Sequence, residues 1–341
     1  MLKAGLYGFG GIAKIHKTAY EILAADGVPV ELTSACDVTP ERFTEDTKIN
    51  ISIESTVEST IIRPYPCIED MLDNEDLDIV DICLPTYLHA DAAIDMLEKG
   101  YNVLSEKPMA LSTSDCRRMI AAAEHSKGRL MIGQCLRFRQ DVTYVKELID
   151  KGTYGNVISA CFTRLGSPPL WSWNNWFIDP DKSGGAILDL HIHDVDLVRF
   201  LFGEPAYVSC LSKHVHGRYD SNNTRFIFDD DKIVVATGDW SLSGGFSFTQ
   251  DYRIVFEGAT LVYFGSPDTL TLYAGTDAPV PAPIVITDPI QNEISYFVEM
   301  IKNNTENTVN KPEDSANTIA LIEKIRESAD NKGKPVKWTG L

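Results

Sequence analysis

The sequence lacks long apolar runs. No stretch approaches the ~20 consecutive apolar residues that cross a bilayer. Its amino terminus also lacks a basic segment followed by an apolar run and a small-residue cleavage site, and begins instead on residues typical of a strand. We therefore expect a cytoplasmic protein with no membrane partner.

Paired cysteines are missing as well. The seven cysteines are odd in number, widely spaced and never in a C-x-x-C arrangement. This spacing argues against a disulfide framework and contains no zinc-ligand pattern. We expect reduced cysteines, most of them small core residues, and no metal.

Positive charge is scarce, because 31 Lys and Arg residues face 49 Asp and Glu residues, for a formal net charge of -18 at pH 7. Such a surface repels nucleic acid and anionic membranes. We expect a small-molecule partner and no nucleic acid. At 341 residues with 44% hydrophobic content, the chain is long enough for two domains with buried cores.

The first third alternates short apolar runs with amphipathic stretches, which is typical of βαβ units in a parallel sheet. The predicted strands are 2–7, 31–36, 78–84, 101–105 and 129–134. The pattern predicts an α/β Rossmann domain over 1–135. The polar segment 50–67 is either a long loop or an extra strand.

After residue 134 the pattern changes to longer β-rich segments, at 157–164, 206–214, 225–228, 232–241, 252–257 and 260–264. Helices are predicted over 187–202, 290–302 and 313–328. We predict an α+β substrate domain over 136–341 with a large open, mostly antiparallel sheet, whose last helix could pack back on the first domain. An open sheet often faces another subunit, so we expect a homodimer or homotetramer.

The most informative local motif is G-x-G-x-x-A between a predicted strand and a predicted helix. Gly8 would permit the tight turn, Gly10 would let the backbone approach a pyrophosphate, and Ala13 would keep the helix close to the sheet. The helix N-terminus then offers N–H groups to the phosphates. The predicted cofactor-binding residues here are Gly8, Phe9, Gly10, Gly11, Ile12 and Ala13.

Asp37 ends the second predicted strand, where an acidic side chain accepts hydrogen bonds from the adenosine ribose. A carboxylate there would also repel a 2′-phosphate, which predicts NAD rather than NADP. Two alternatives stay open. Asp37 could instead cap the turn before Pro40, and Arg42 could approach a phosphate.

Two further segments carry candidate catalytic groups. Glu106-Lys107-Pro108 follows the fourth predicted strand, at the sheet edge where α/β folds bind ligands, although a surface ion pair is the alternative. Asp189 and His193 are four residues apart, which on one helix places both side chains on the same face. The carboxylate could then support the imidazole as it takes up a proton.

Together these motifs resemble the glucose-fructose oxidoreductase, inositol dehydrogenase and MocA family. The resemblance also rests on L-P-T-Y-L-H at 84–89 and on Arg137-Phe138. It implies that Lys107 hydrogen-bonds the reacting oxygen and that His193 exchanges the proton with support from Asp189. It further implies that the cofactor site includes Leu84, Pro85, Thr86, His89, Glu106 and Lys107.

These features predict an NAD-dependent dehydrogenase that oxidises a hydroxyl group of a sugar, inositol or related polyol. Trp176 is the preferred aromatic group for stacking on a sugar, and Arg164 and Asn174 are further candidates for substrate contact. Packing at a domain junction or subunit interface is an equally open interpretation of Trp171, Trp173 and Trp176. Two other functions stay open, an NAD-dependent glycoside hydrolase with transient oxidation and a non-catalytic NAD-sensing regulator.

Overall fold

The computed structural model describes residues 1–45, 56–57, 59–170 and 172–341. The chain divides into two compact units, of which the first contains Met1–Cys135 and Asp288–Ala316. The second contains Leu136–Thr287 and Asn317–Leu341. Residues 288–316, which we grouped with the second domain, therefore lie in the first unit. Within the described ranges, no helix is both long and apolar enough to cross a membrane.

Helices occur in both units. In chain order they are α1 (Gly11–Ala25), α2 (Ile68–Asn74), α3 (His89–Glu98), α4 (Thr113–His125), α5 (Gln140–Asp150), α6 (Pro180–Ser183), α7 (Ala186–Asp189), α8 (Ile192–Phe202), α9 (Pro289–Asn303) and α10 (Pro312–Asp330). Helix α9 packs against α1, which explains why this late segment belongs to the first unit.

The first unit contains a six-stranded, fully parallel sheet. Its strands are β1 (Leu2–Tyr7), β2 (Val30–Cys36), β3 (Arg63–Tyr65), β4 (Ile79–Ile82), β5 (Asn102–Glu106) and β6 (Leu130–Gly133). Their order, β3-β2-β1-β4-β5-β6, reverses direction between β1 and β4. Ligands bind at such a switch point, beyond the carboxyl ends of the strands. The predicted Rossmann fold is confirmed.

The two alternatives for the polar segment 50–67 are a long loop and an extra strand, and strand β3 is that extra strand. It pairs in parallel with β2 through the register Ser34 to Arg63 and Cys36 to Tyr65. Residues 50–55 and 58 of that segment lie outside the described residues.

The second unit contains a nine-stranded sheet. Its strands are β7 (Val157–Leu165), β8 (Tyr207–Lys213), β9 (Ser221–Ile227), β10 (Ile233–Asp239), β11 (Thr249–Phe256), β12 (Ala259–Gly265), β13 (Asp268–Ala274), β14 (Val280–Pro281) and β15 (Val336–Lys337). The order is β14-β13-β12-β11-β7-β10-β9-β8-β15, and β7 and β10 are the parallel pair. The large, mostly antiparallel sheet is therefore confirmed.

The single helix predicted over 187–202 is wrong, because α7 and α8 are separated by a turn at Leu190 and His191. The backbone N–H of His191 donates to the carbonyl of Ala186, five residues earlier, at 2.8 Å. This span is one residue wider than in an α-helix. Asp189 ends α7 and His193 is the second residue of α8, so their spacing does not place them on one continuous helical face.

Candidate active site

Glycine is present at two positions of the first βα turn for different reasons. Gly8 has φ +94°, and a Cβ there would lie 2.9 Å from the carbonyl oxygen of Cys83, so both conformation and space require glycine. Gly10 has φ -78°, and an added Cβ would meet no described atom within 4 Å. The fold therefore does not require glycine at position 10. A ligand that approaches the backbone closely at this position would require it.

Helix α1 begins at Gly11, directly after this turn. Its N-cap, Gly10, has no side chain to cap it, and no acidic residue lies in the first turn of the helix as the structure describes it. The N–H groups of that turn and the positive end of the helix dipole can thus bind an anion. Ala13 is fully buried against the sheet. These features fit a dinucleotide pyrophosphate.

Asp37 is half-buried at the end of β2 and has two backbone partners. Its Oδ2 accepts from the N–H of Phe9 at 2.8 Å, and its Oδ1 accepts from the N–H of Thr39 at 2.8 Å. The turn-capping alternative is therefore observed. It does not exclude ribose binding, since a carboxylate has about four lone-pair sites. Arg42 lies in the adjacent 3-10 turn Pro40–Phe43.

Lys107 follows β5 directly and is half-buried at the carboxyl edge of the parallel sheet. The backbone N–H of Lys107 donates to Oε2 of Glu106 at 2.9 Å. Glu106 is 7% exposed, so a surface ion pair does not describe this segment. The Glu106 side chain is an internal support for the turn that presents Lys107.

His89 joins the two turns that end β4 and β5. Its Nδ1 lies 2.8 Å from the carbonyl oxygen of Pro108, and its Nε2 lies 2.7 Å from that of Leu84. Burial lowers the pKa of His89, although the hydrogen bonds to these two carbonyls act in the opposite direction. A neutral imidazole has one N–H, so the ring donates to one of the two carbonyls at a time. Because both ring nitrogens face the backbone, His89 would support the cofactor site rather than contact the cofactor through its ring.

The other predicted residues of this loop differ in exposure. Leu84 and Pro85 are half-buried, whereas Thr86 is 2% exposed. The Oγ1 of Thr86 is buried and has no hydrogen-bond partner in the part of the chain that the structure describes. A buried hydroxyl of this kind is suited to a polar group of a ligand.

Our sequence prediction missed a buried polar cluster behind this edge. His16 of α1 lies between two carboxylates, with Nδ1 2.8 Å from Oδ2 of Asp81 and Nε2 3.0 Å from Oε1 of Glu106. The signals were a histidine on the apolar stripe of α1 and an aspartate inside the apolar strand β4. Both side chains are fully buried.

Two groups of three possible metal ligands occur among the described residues, His16-Asp81-Cys83 and His16-Glu106-Glu293. Both need a lone pair on His16. The two ring nitrogens each lie at hydrogen-bond distance from a carboxylate oxygen, and a ring that donates on both sides has no lone pair to offer a metal. We therefore interpret this cluster as hydrogen-bonded side chains.

In the second unit, the acidic residues of α8 are largely structural. Asp194 forms a buried two-point ion pair with Arg164, at 2.9 and 3.1 Å, and Arg164 also donates to Oε1 of Gln250 at 2.8 Å. Asp196 pairs in the same way with Arg137, at 2.8 Å for both contacts. The guanidinium of Arg164 is thus committed to protein partners, which favours a structural role over the predicted substrate contact.

The three candidate proton-transfer groups of this region differ in their surroundings. Asp189 is 6% exposed at the end of α7, and His193 is half-buried at the start of α8. His191 is fully buried, with Nε2 2.9 Å from Oγ1 of Thr224. Burial lowers the pKa of His191 to about 4, so its ring is neutral at physiological pH. This supports the choice of His193 over His191 for proton exchange.

The aromatic segment before α6 is only partly described, since Trp171 lies outside the described residues. Trp176 is half-buried and stacks on Phe177 with ring centroids 4.0 Å apart. Phe177 in turn packs against the cluster of Ala186, Leu190 and Trp240. Trp176 is thereby connected by packing to the start of α7. Asn174 is exposed, with φ +48°.

Both units match domains of one family. Residues 2–134 match the oxidoreductase family with an NAD-binding Rossmann fold, and residues 142–262 match the Gfo/Idh/MocA C-terminal domain. The chain belongs to the Gfo/Idh/MocA family, and its first unit contains that family's NAD-binding domain.

Named relatives include sugar and polyol enzymes. The chain is 35% identical over 136 residues to a 2,7-anhydro-N-acetylneuraminate hydratase from Mediterraneibacter gnavus, covering 40% of this chain and 36% of that protein. It is 29% identical over 210 residues to an inositol 2-dehydrogenase from Rhizobium meliloti, covering 60% of this chain and 56% of that protein. The matches thus span less than two thirds of these relatives.

A solved structure extends the likeness in fold to the whole chain. The structure of levoglucosan dehydrogenase in complex with NADH and levoglucosan superposes with a TM-score of 0.82 at 21% identity. The match covers 98% of this chain and 99% of that one. At this identity the likeness establishes the fold.

Proposed function

We propose that this protein is an NAD-dependent dehydrogenase that oxidises a hydroxyl group of a sugar, inositol or related polyol. The placement of Lys107 carries the proposal. Its half-buried side chain follows β5 at the same sheet edge as the Gly8 turn after β1 and Asp37 after β2. A cation at this edge can act on the oxygen of a substrate beside the cofactor.

The first unit would bind the cofactor through groups that its fold leaves available. The N-terminal turn of α1 would hold the pyrophosphate, and Asp37 would accept hydrogen bonds from the ribose. Leu84, Pro85 and Thr86 would line the same site beyond β4. When bound, NAD supplies the hydride acceptor.

Lys107 and His193 would divide the remaining chemistry. Lys107 stabilises negative charge that develops on the reacting oxygen, and His193 removes the hydroxyl proton with electrostatic support from Asp189. Asp189 retains this proposed role although the break between α7 and α8 removes the helical-face argument for it. Trp176 and Asn174 remain candidates for sugar contact, and Arg164 does not.

A panel of sugars and polyols with NAD tests the activity through the absorbance of NADH. On the best substrate, Lys107→Met and His193→Ala should each lower kcat by about 100-fold or more, with NAD affinity nearly unchanged. The exposed residues Lys127 and His125 supply the controls Lys127→Met and His125→Ala. Turnover near wild type in either active-site variant would remove that residue from the mechanism.

A redox-neutral reaction on a sugar is the second candidate, because one relative is named a hydratase. Transient oxidation followed by elimination and return of the hydride would also use Lys107 and His193, as in an NAD-dependent glycoside hydrolase. Net accumulation of NADH supports the dehydrogenase. Product release without net reduction supports the redox-neutral reaction, and NAD binding without turnover on the panel supports a sensing role.

We also propose that the chain forms a homodimer or homotetramer through the open face of the nine-stranded sheet. Ile233 of β10 and Phe264 of β12 point to this face and are 56% and 51% exposed. Exposed apolar groups on a sheet face favour association. Light scattering should give a mass of two or four chains, and Ile233→Asp should lower it. A wild-type monomer at micromolar concentration would contradict the assembly.

A further inference from the structure

A continuous row of buried polar groups crosses the first unit behind Lys107. Asp81 lies at the centre of β4 between Val80 and Ile82, and all three are fully buried. The Asp81 carboxylate contacts Nδ1 of His16 at 2.8 Å, and Nε2 of the same ring contacts Glu106 at 3.0 Å. The other oxygen of Glu106 accepts from the Lys107 N–H at 2.9 Å. Three side chains thus connect β4 to the backbone of Lys107.

The geometry fits a charged ring at the centre of this row. An ionised carboxylate can only accept hydrogen bonds, and a neutral imidazole has a single N–H. Two hydrogen bonds from one ring to two ionised carboxylates therefore need an imidazolium. Burial opposes this charge, but the neighbouring groups, foremost the Asp81 carboxylate, outweigh it and raise the pKa of His16 well above its usual value.

The surrounding groups agree with one cation between two anions. The titratable side chains in and around the cluster include Tyr20 from α1, Asp81 from β4, Glu106 from β5, Cys83 and Lys107 directly after these strands, Glu293 from α9 and Asp288 at its N-cap. Glu293 is fully buried, and burial, reinforced by Glu106, raises the pKa of its carboxyl group well above the usual range. A neutral Glu293 adds no third negative charge to the cluster.

We propose that His16 is a positioning residue for Lys107, because it fixes the Glu106 carboxylate that holds the Lys107 backbone. This inference rests on the proposed role of Lys107 at the reacting oxygen. Without the imidazolium, Asp81 and Glu106 would be two buried carboxylates with no cation between them. One would take up a proton, and the Glu106 side chain would lose the partner that fixes its rotamer.

The kinetic test is a double-mutant cycle between His16→Gln and Lys107→Met. His16→Gln should lower kcat by about tenfold or more, with NAD affinity within about threefold of wild type, because supporting groups of this kind typically contribute 10–100-fold. If His16 acts through Lys107, the double variant should be no slower than Lys107→Met alone. Additive losses, or a normal kcat for His16→Gln, would overturn the proposal.

A spectroscopic test does not depend on turnover. In protein labelled with ¹⁵N-histidine, both ring nitrogens of His16 should keep imidazolium chemical shifts above neutral pH, and these signals should vanish in His16→Gln. A ring with one N–H at neutral pH would refute the charged row. Asp81→Asn preserves the shape of the side chain and removes one anion, so it should lower the pH at which His16 loses its proton. This variant keeps the test available if His16→Gln fails to fold.

The two proposals can fail separately. Lys107→Met with wild-type kcat would remove Lys107 from the mechanism, whatever His16 does. A slow Lys107→Met variant combined with additive His16→Gln losses would leave the dehydrogenase proposal intact and reject the positioning role alone.

Discussion

The Oδ2 atom of Asp37 lies 2.8 Å from the backbone nitrogen of Phe9, so the end of β2 is joined directly to the glycine turn after β1. Phe9 also stacks on Phe43, with ring centroids 4.8 Å apart and planes 13° from parallel. One carboxylate therefore contributes both to the shape of the turn and to the charge at the predicted ribose site. Cofactor preference and turn stability therefore have to be measured in the same Asp37 variant.

Asp37→Asn removes the negative charge and keeps one acceptor oxygen, so one of the two backbone hydrogen bonds, from Phe9 or Thr39, is lost and the stability of the variant is measured as well. A 2′-phosphate would then meet no carboxylate, and the ratio of kcat/KM for NADP to that for NAD should rise about tenfold, equivalent to about 1.4 kcal/mol. Asp26→Asn, at an exposed acid after α1, is the control. An unchanged ratio in Asp37→Asn would show that Asp37 does not select the cofactor.

The glycine turn allows stability to be separated from binding. Gly8→Ala should lower the free energy of unfolding by about 2 kcal/mol or more, because φ +94° and the close Cys83 carbonyl both oppose a side chain. Gly10→Ala should leave stability unchanged within about 0.5 kcal/mol but weaken NAD binding at least about tenfold. Denaturant titration and calorimetry with NAD measure the two effects. Normal NAD affinity in Gly10→Ala would contradict close approach of the pyrophosphate at this position.

The Rossmann domain could be predicted because its signals are local. Strand β1 and the start of α1 follow from apolar periodicity and from the glycines between them, and the structure confirms the fold that they indicate. The break between α7 and α8 could not be predicted in the same way. Leu190 and His191 contain no glycine or proline signal, and both keep right-handed helical backbone angles.

The polar cluster was missed for a different reason. His16 contacts Asp81 and Glu106, which are 65 and 90 positions away in the sequence. Periodicity identifies such residues only as polar groups at apolar positions, and their partners depend on strand order. Arg164 is another residue whose surroundings the sequence did not indicate, since its buried ion pair with Asp194, 30 positions away, favours a structural role over the predicted substrate contact.

Arg164 should therefore contribute to stability rather than to substrate affinity. Arg164→Met leaves Asp194 buried without its cation and should lower the free energy of unfolding by about 3 kcal/mol. KM measured well below the unfolding temperature should stay near wild type. Arg118→Met is the control, because this arginine is exposed and its surface ion pairs contribute little to stability. A raised substrate KM without lost stability would restore Arg164 to the substrate site.

His191 should make stability depend on pH in a defined window. Its pKa is lowered to about 4 by burial, whereas the unfolded chain takes up this proton near the usual value of about 6.5. Between these values the unfolded state binds more protons, so this contribution is complete above about pH 6.5 and is lost as the pH falls towards 4. The difference amounts to about 3 kcal/mol.

His191→Gln is the matched variant, because it keeps a donor near Oγ1 of Thr224 and cannot titrate. Between about pH 7 and pH 4, the free energy of unfolding of the wild type should fall by about 3 kcal/mol more than that of His191→Gln. His125→Gln, at an exposed histidine, should follow the wild type. Parallel curves for wild type and His191→Gln would contradict this prediction, because they would mean that the ring takes up its proton at the same pH in the folded and the unfolded state. A loss of kcat in His191→Gln at neutral pH would instead transfer the proton-exchange role from His193 to His191.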